Sequence, residues 1–214
     1  MLRNHQVYQL LAVITQTFEV RKKELSKLDA VIGDGDHGFS IARGCRAGMD
    51  AVEQLEQDSS VSKYLRLYGR TLTDEVGGAM GPLFGLLFTE LAEKCSGQDN
   101  LGLNELAEGL SSALSVICEL GGAKAGDKTM VDAIIPSVES LMSAVKCGLS
   151  LKEAVLAAEH AAWSGVESTV WLQAKRGRSK FLQERSIGYQ DAGATSFYYL
   201  IHAIRKFLDE EAVE

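Results

Sequence analysis

With 214 residues, 46% apolar and 24% charged side chains, and a formal charge of −7, the chain fits one globular domain over residues 1–214 and excludes disordered or generally nucleic-acid-binding classes. Two prolines against 21 glycines keep breakers out of element interiors and place permissive backbone elsewhere. Four separated cysteines, with no C-x-x-C pair or zinc spacing, read as reduced core thiols of a cytoplasmic protein, and neither a signal peptide nor a membrane span is expected.

In chain order, Val7, Leu10, Leu11, Ile14 and Phe18 recur at three- and four-residue steps, which predicts an amphipathic helix ending near Leu28. A second helix is expected after Gly38, through Ile41, Cys45, Met49, Val52 and Leu55, to a break at QDSS. A third runs from Val61 to about Val76, with Tyr64, Leu65, Tyr68 and Leu72 in register. Pro82 suits the opening turn of a fourth, where its missing N–H would lack a partner anyway, and this helix ends near Cys95, before SGQDN. Leu106, Leu110, Ala113, Leu114 and Ile117 mark a fifth over Leu103–Leu120. A sixth covers about Met130 to Val145, kinked or opened at Pro136. Ser150 caps a long seventh, expected to carry Leu151, Val155, Ala158, Ala162, Val166 and Val170 on to about Lys175. The eighth, from about Ala194 to Leu208, presents Phe197, Leu200, Ile201, Ile204 and Phe207. No segment alternates apolar and polar over strand length. The expected fold is all-α, an antiparallel bundle or barrel of about eight helices with short connections.

The glycines are expected to concentrate in loops rather than in helices: GDGDHG at 33–38, GGAMG at 77–81, GGAKAGD at 121–127, and RGR with DAGA at 176–178 and 191–194. These loops follow the first, third, fifth and seventh helices. In an up-and-down bundle alternate junctions share an end, so all four should converge.

LDAVIGDGDHG sets Asp29, Asp34 and Asp36 within eight residues around a glycine turn. Carboxylates so close repel one another unless a cation sits among them, and oxygen donors of this kind suit Mg²⁺ or Ca²⁺ rather than zinc. An EF-hand is excluded, because its closing Glu, counted from Asp34, would fall on Cys45. Mg²⁺ usually completes its shell with water and substrate phosphate, so a phosphoryl group is the implied ligand. The alternative is a solvated acidic turn with one Asp as helix N-cap. GGAMGP is either an anion nest leading into a helix N-terminus or a close helix contact through small residues. In GGAKAGDKTM, Lys124, Lys128 and Thr129 add cation and hydroxyl, with Asp127 as the expected cap, although a plain helix connection reads the same way. Lys175, Arg176, Arg178, Lys180 and Arg185 form a basic run in an acidic chain, which suits a polyphosphate or is simply solvated surface. Asp191 can cap the last helix.

Together, IGDGDHG with its upstream Asp, GGAMGPLFG, GDKTMVDAIIP, and RGR followed by ERSIGYQDAGAT resemble the family of L subunits, the ADP-binding subunits, of bacterial dihydroxyacetone kinases. The resemblance covers nearly the whole chain. It implies an all-α helical barrel with ADP/ATP held at one end and two Mg²⁺ ions on Asp29, Asp34 and Asp36. His37, Gly38, Phe39 and Ser40 match the family's first phosphate-binding loop. Ala79 and Met80 fall where backbone N–H groups meet phosphate, and Gly121, Met130, Arg178, Asp191, Ala192 and Gly193 match other nucleotide contacts.

The chain departs from the family pattern at Met80, where Ser is usual, at Ser40, where Asn is usual, and at Ala192, where Pro is usual. A backbone contact survives the first change and a side-chain hydroxyl contact is lost. The resemblance further implies a small keto-sugar held on a separate K subunit, for which this chain has no room. It also implies, in one branch, a phosphohistidine M subunit of the phosphotransferase system that rephosphorylates bound ADP; in another, ATP exchanges from solution. The general base belongs to the K partner, so no catalytic residue is assigned here, and His37 is an orienting or phosphate-donating group. A homodimer is allowed; nucleic acid and membrane are not expected partners. A non-catalytic ADP-binding regulatory module is the competing functional reading.

Overall fold

A computed structural model describes residues 1–56, 58–98 and 100–211. The breaks expected at QDSS and SGQDN each include a residue, Gln57 and Asp99, outside the described set. Among the described residues eight α-helices follow in order: α1 (Asn4–Ile32), α2 (His37–Glu53), α3 (Val61–Glu75), α4 (Met80–Lys94), α5 (Leu103–Gly121), α6 (Val131–Cys147), α7 (Leu151–Ser168) and α8 (Ala192–Glu211). Each packs on the next, and α8 returns to α1, so the helices close into a ring. The all-α expectation holds, with one addition: Leu2–Arg3 (β1) pairs antiparallel with Asn100–Leu101 (β2), too short to show alternation in sequence.

The helical spacing identifies the core correctly. Val7, Leu10, Leu11, Ile14 and Phe18 are all buried, and each such side chain contributes about 1.5–3 kcal/mol when taken fully from water. Phe18 meets Phe84 edge-to-face at 5.5 Å, and Tyr68 packs on Phe88 at 4.8 Å, tying α1, α3 and α4 together. The Tyr68 hydroxyl is satisfied by Thr15 Oγ1 at 2.9 Å. All four cysteines are free, but only Cys45 and Cys95 are core residues; Cys118 is half-buried and Cys147 exposed. No helix among the described residues is long and apolar enough to cross a membrane.

Three boundaries differ from expectation. Helix α1 runs on to Ile32, a buried residue, so Asp29 sits on its last turn rather than in a loop. Helix α4 begins at Met80, leaving Pro82 in the first turn, where an imino acid costs no hydrogen bond. Helix α7 is capped by Ser150, whose Oγ accepts from Glu153 N, but stops at Ser168. Residues 169–191 instead form a strap of two 3₁₀ pieces, Thr169–Trp171 and Arg178–Ser186. Pro136 lies inside α6, in its second turn. Its missing N–H leaves the Asp132 carbonyl open toward α7, where a Cβ on Gly165 would come within 2.3 Å of that oxygen.

Gly165 belongs to a set the loop expectation missed. Gly44, Gly48, Gly69, Gly85 and Gly109 also lie within helices, each where an added Cβ would come within 3.0 Å of a neighbouring helix. The glycine excess is therefore divided between loops and helix–helix contacts.

Candidate functional site

The four odd-numbered junctions do meet at one end. They wall a cleft of about 470 Å³ that gathers Asp29, Asp34, Asp36, His37, Ala79, Met80, Gly121, Met130, Arg178, Asp191, Ala192 and Gly193, a size within the usual range of small-molecule sites. Leu83, Ile117 and Ala123 supply apolar wall, and Thr129 and Ser179 add hydroxyls. Gly38, Phe39 and Ser40 are not in the wall.

Burial and local bonding explain that exception. Gly38 presses on α1, where a Cβ would meet Lys22 O at 2.0 Å. The N–H groups of Gly38 and Phe39 donate to Ser26 Oγ at 3.1 and 3.2 Å, and Ser40 N–H donates to Asp36 O at 2.9 Å. A serine of α1 thus caps α2 from outside. Of this turn, His37 lines the cleft, while Gly38, Phe39 and Ser40 have their backbone N–H groups bonded within the protein. Nothing local in the sequence marks Ser26, eleven residues before His37 and on another helix.

The carboxylates follow from that geometry. Asp29 Oδ2 accepts from Gly35 N–H at 2.8 Å, which folds the turn back on the end of α1. Asp36 occupies the N-cap position of α2, but its side chain makes no capping bond. The cap reading of this turn therefore fails for Asp36, and its carboxylate is left to face the other two. Oxygens of Asp29, Asp34 and Asp36 lie within 4.8 Å of one another. Desolvation, then the Asp34 and Asp29 charges, push the Asp36 carboxyl above its ordinary range. Such a cluster of hard oxygen donors, with one carboxylate destabilised by its neighbours, fits a divalent cation. Arg178 Nη1 pairs with Asp34 Oδ2 at 2.5 Å from the opposite wall.

His37 is held at Nε2 by the buried Ser196 Oγ, 2.6 Å away, and its ring also bonds the Ala192 backbone. Burial pushes its imidazole below the usual range, despite the pull of Asp29 and Asp34. A neutral ring clamped between α2 and α8 suits an orienting group. Ser196 carries no local motif and was not anticipated. Asp191 caps α8 as expected, accepting from Ala194 N–H at 2.7 Å, and burial pushes its carboxyl up to about 6.

In the 121–130 loop the expected cap is corrected. Asp132, not Asp127, accepts from Gly126 N–H at 2.6 Å and Thr129 N–H at 2.8 Å. The signal was present as Thr129-x-x-Asp132, the spacing of a capping box. Asp127 is buried instead against Lys175, at 3.5 Å, and Arg176, at 3.4 Å. It also accepts from Lys124 N–H at 3.2 Å, and this bond, with Arg176 and Lys175, holds its carboxyl low against the opposing effect of burial. The basic run is thus split. Lys175 and Arg176 fasten loops together, Arg178 reaches the acidic cluster, and Lys180 lies 5.0 Å from the Phe181 ring. Gly77, Gly78 and Gly121 would carry a Cβ into open space, whereas Gly81 is pressed on Val76 O. The GGAMG loop therefore combines both of its readings: an open glycine pair, then a packing glycine.

A closed ring of eight helices with this acidic, glycine-lined end is the architecture of the DAK2 domain, whose family model matches residues 31–206, and the chain belongs to that family. Within it, the chain is 36% identical over 203 residues to the "PEP-dependent dihydroxyacetone kinase, ADP-binding subunit DhaL" of Escherichia coli (strain K12), covering 95% of this chain and 96% of that one. It is 34% identical over 189 residues to the L-erythrulose kinase of Pectobacterium atrosepticum, covering 88% of this chain but 32% of the kinase. Among solved structures, the dihydroxyacetone kinase from C. freundii in complex with AMP-PNP and Mg²⁺ superposes with a TM-score of 0.70 at 27% identity, over 94% of this chain and 33% of that one. The chain thus spans about a third of these last two proteins.

Proposed function

We propose that residues 1–214 form the nucleotide-binding domain of a dihydroxyacetone-type kinase, holding ADP/ATP with Mg²⁺ in the cleft. A phosphoryl group passes from the nucleotide to a small keto-sugar carried by a separate K subunit. The observation that carries this reading is the set of three mutually facing carboxylates opposite Arg178, at the meeting point of four glycine-bearing junctions. The full-length match to a relative named as an ADP-binding subunit and the AMP-PNP and Mg²⁺ complex of a structural relative support it.

Asp29, Asp34 and Asp36 would hold the cation, which when bound supplies neutralisation of polyphosphate charge. The chain's own contribution is positional. Open backbone at Gly77–Gly78 lets phosphate oxygens approach N–H groups, the first turn of α8 at Ala192–Gly193 borders the cleft, Arg178 adds a guanidinium, and His37 braces the two helix N-termini. Ile117, Leu83, Met130 and Met80 offer the apolar wall that a planar base needs. The general base is proposed to come from the K partner, and the transfer to take place in the cytoplasm. Rephosphorylation of bound ADP by a phosphotransferase-system M subunit is the proposed donor route, since four relatives are named for dependence on that system or on PEP.

Native mass spectrometry of the purified protein tests the reading: ADP and Mg²⁺ should co-purify and be lost in Asp34→Ala. Retention of nucleotide by that variant would count against it. Mixing with a K subunit and assaying phosphate transfer separates the kinase from a regulatory module. The matches to erythrulose kinases keep a tetrulose acceptor as a second substrate reading, checked in the same assay.

A further inference from the structure

Lys128 is a lysine in an unusual place. It is 1% exposed, its backbone is left-handed at φ 60°, and no carboxylate lies within ion-pair distance of it among the described residues. Its ammonium donates to two backbone carbonyls, Thr169 O at 2.5 Å and Tyr189 O. Those oxygens are the two feet of the 169–191 strap. Gly188 N–H adds a bond to Val170 O at 2.7 Å just inside them, and Ala174 N–H bonds Ser186 Oγ at 2.9 Å further up. Asp127, the residue before Lys128, holds Lys175 and Arg176 on the same strap. The 127–128 pair therefore grips the strap at its base and its middle. The strap carries Arg178, whose guanidinium reaches Asp34 across the cleft.

We infer that Lys128 is a positioning residue, which staples the two feet of the strap to the α5–α6 junction and thereby holds Arg178 over the carboxylate cluster. Three features favour a staple over a phosphate-contacting cation. Two of its donors are directed at carbonyls, its side chain is almost wholly covered where it borders the cleft, and a non-glycine residue at positive φ persists only where its surroundings over-determine it. The 3₁₀ strap has poor hydrogen-bond geometry of its own, so an external tie matters more here than beside an α-helix.

The strap contains Lys175, Arg176, Arg178, Lys180 and Arg185, so trypsin reports directly on its closure. In Lys128→Met, which keeps the stem and removes the donors, native-state cleavage within 175–185 should accelerate about tenfold or more relative to cleavage at the helical sites Lys23 and Lys63. Lys128→Gly removes the staple while relieving the positive φ, and should show the same selective cleavage. Equal acceleration at strap and helix sites, unchanged strap cleavage, or failure of both variants to fold would each overturn the proposal, assigning Lys128 to global stability. A second arm rests on the nucleotide reading above. Mg·ADP affinity should fall about tenfold in Lys128→Met, and the Lys128→Met/Arg178→Ala double variant should bind no more weakly than Arg178→Ala alone. Additive losses would overturn the link to Arg178. If the wild-type protein binds no ADP, the proposed function fails while the trypsin arm still decides the staple.

Discussion

The Arg178 guanidinium lies 2.5 Å from Asp34 Oδ2, so without a cation the strap's arginine occupies an oxygen that the metal would need. The two roles proposed for Arg178, neutralising Asp34 and meeting phosphate, pull in opposite directions when it is removed. Arg178→Ala should bind Mg²⁺ alone more tightly, by no more than about fivefold, because the guanidinium is solvent-exposed and such pairs are worth about 1 kcal/mol or less. The same variant should bind Mg·ADP about tenfold more weakly, the scale of one charge-assisted hydrogen bond. Calorimetric titration with each ligand checks both signs. A drop in both affinities would mean that Arg178 supports the loop rather than competing for Asp34.

Asp36 is the carboxylate with least support from the protein: it makes no capping bond, and desolvation and its two neighbours push its carboxyl up. Asp36→Asn should relieve repulsion and raise the melting temperature of EDTA-treated protein by about 1–4 °C. It should also remove most of the further stabilisation that Mg²⁺ confers on the wild type. Thermal unfolding with and without Mg²⁺ gives both readouts. An equal Mg²⁺-induced shift in the variant would remove Asp36 from the cation site.

How far this arrangement can be read from sequence depends on the range of the interaction concerned. The eight helices and their buried faces follow from spacing within single segments, and the gathering of the glycine loops follows from counting junctions in an up-and-down ring. The capping of α2 does not, because its acceptor is Ser26 on α1, and neither does the Ser196 contact that clamps His37. Both join residues remote in sequence through side chains without a motif. The end of α7 is hidden in the sequence because Val170 continues the apolar period, while the Thr169 carbonyl is claimed by Lys128 from another helix junction. Asp132 is within reach of local reasoning, but in the sequence Asp127 is equally capable of capping, and only the fold pairs Asp127 with the strap.

The two kinds of glycine separate cleanly by substitution. Gly38→Ala would drive a Cβ to 2.0 Å from Lys22 O and 2.8 Å from Ser26 N, both backbone atoms that cannot swing aside. It should destabilise the protein by about 2–3 kcal/mol, since α1 and α2 must part. Gly121→Ala meets nothing within 4 Å and ends α5, so folding stability should be unchanged or slightly improved. Because Gly121 lines the cleft, its variant should lose nucleotide affinity instead. Urea unfolding and ADP titration of the pair check this crossing of effects. Matched stability losses would show that Gly121 is a packing glycine as well.

Asp191 gives the cleft a pH signature. Burial pushes its carboxyl up to about 6, against bonding from Ala194 N–H and the nearby Lys128 charge, from an ordinary value of 3.8. Between those values the folded state binds the proton and the unfolded chain does not, so stability falls as pH rises through the window. The loss amounts to about 3 kcal/mol by pH 7. Asp127, whose carboxyl is held low, contributes the opposite slope at more acidic pH, so the effect of Asp191 is read as a difference. Asp191→Asn keeps an acceptor for Ala194 N–H and cannot titrate. Its stability relative to wild type, measured by urea unfolding in EDTA, should be near zero at pH 4 and grow steadily to pH 7. A flat difference across that range would show that Asp191 is ionised throughout and that its capping bond outweighs its burial.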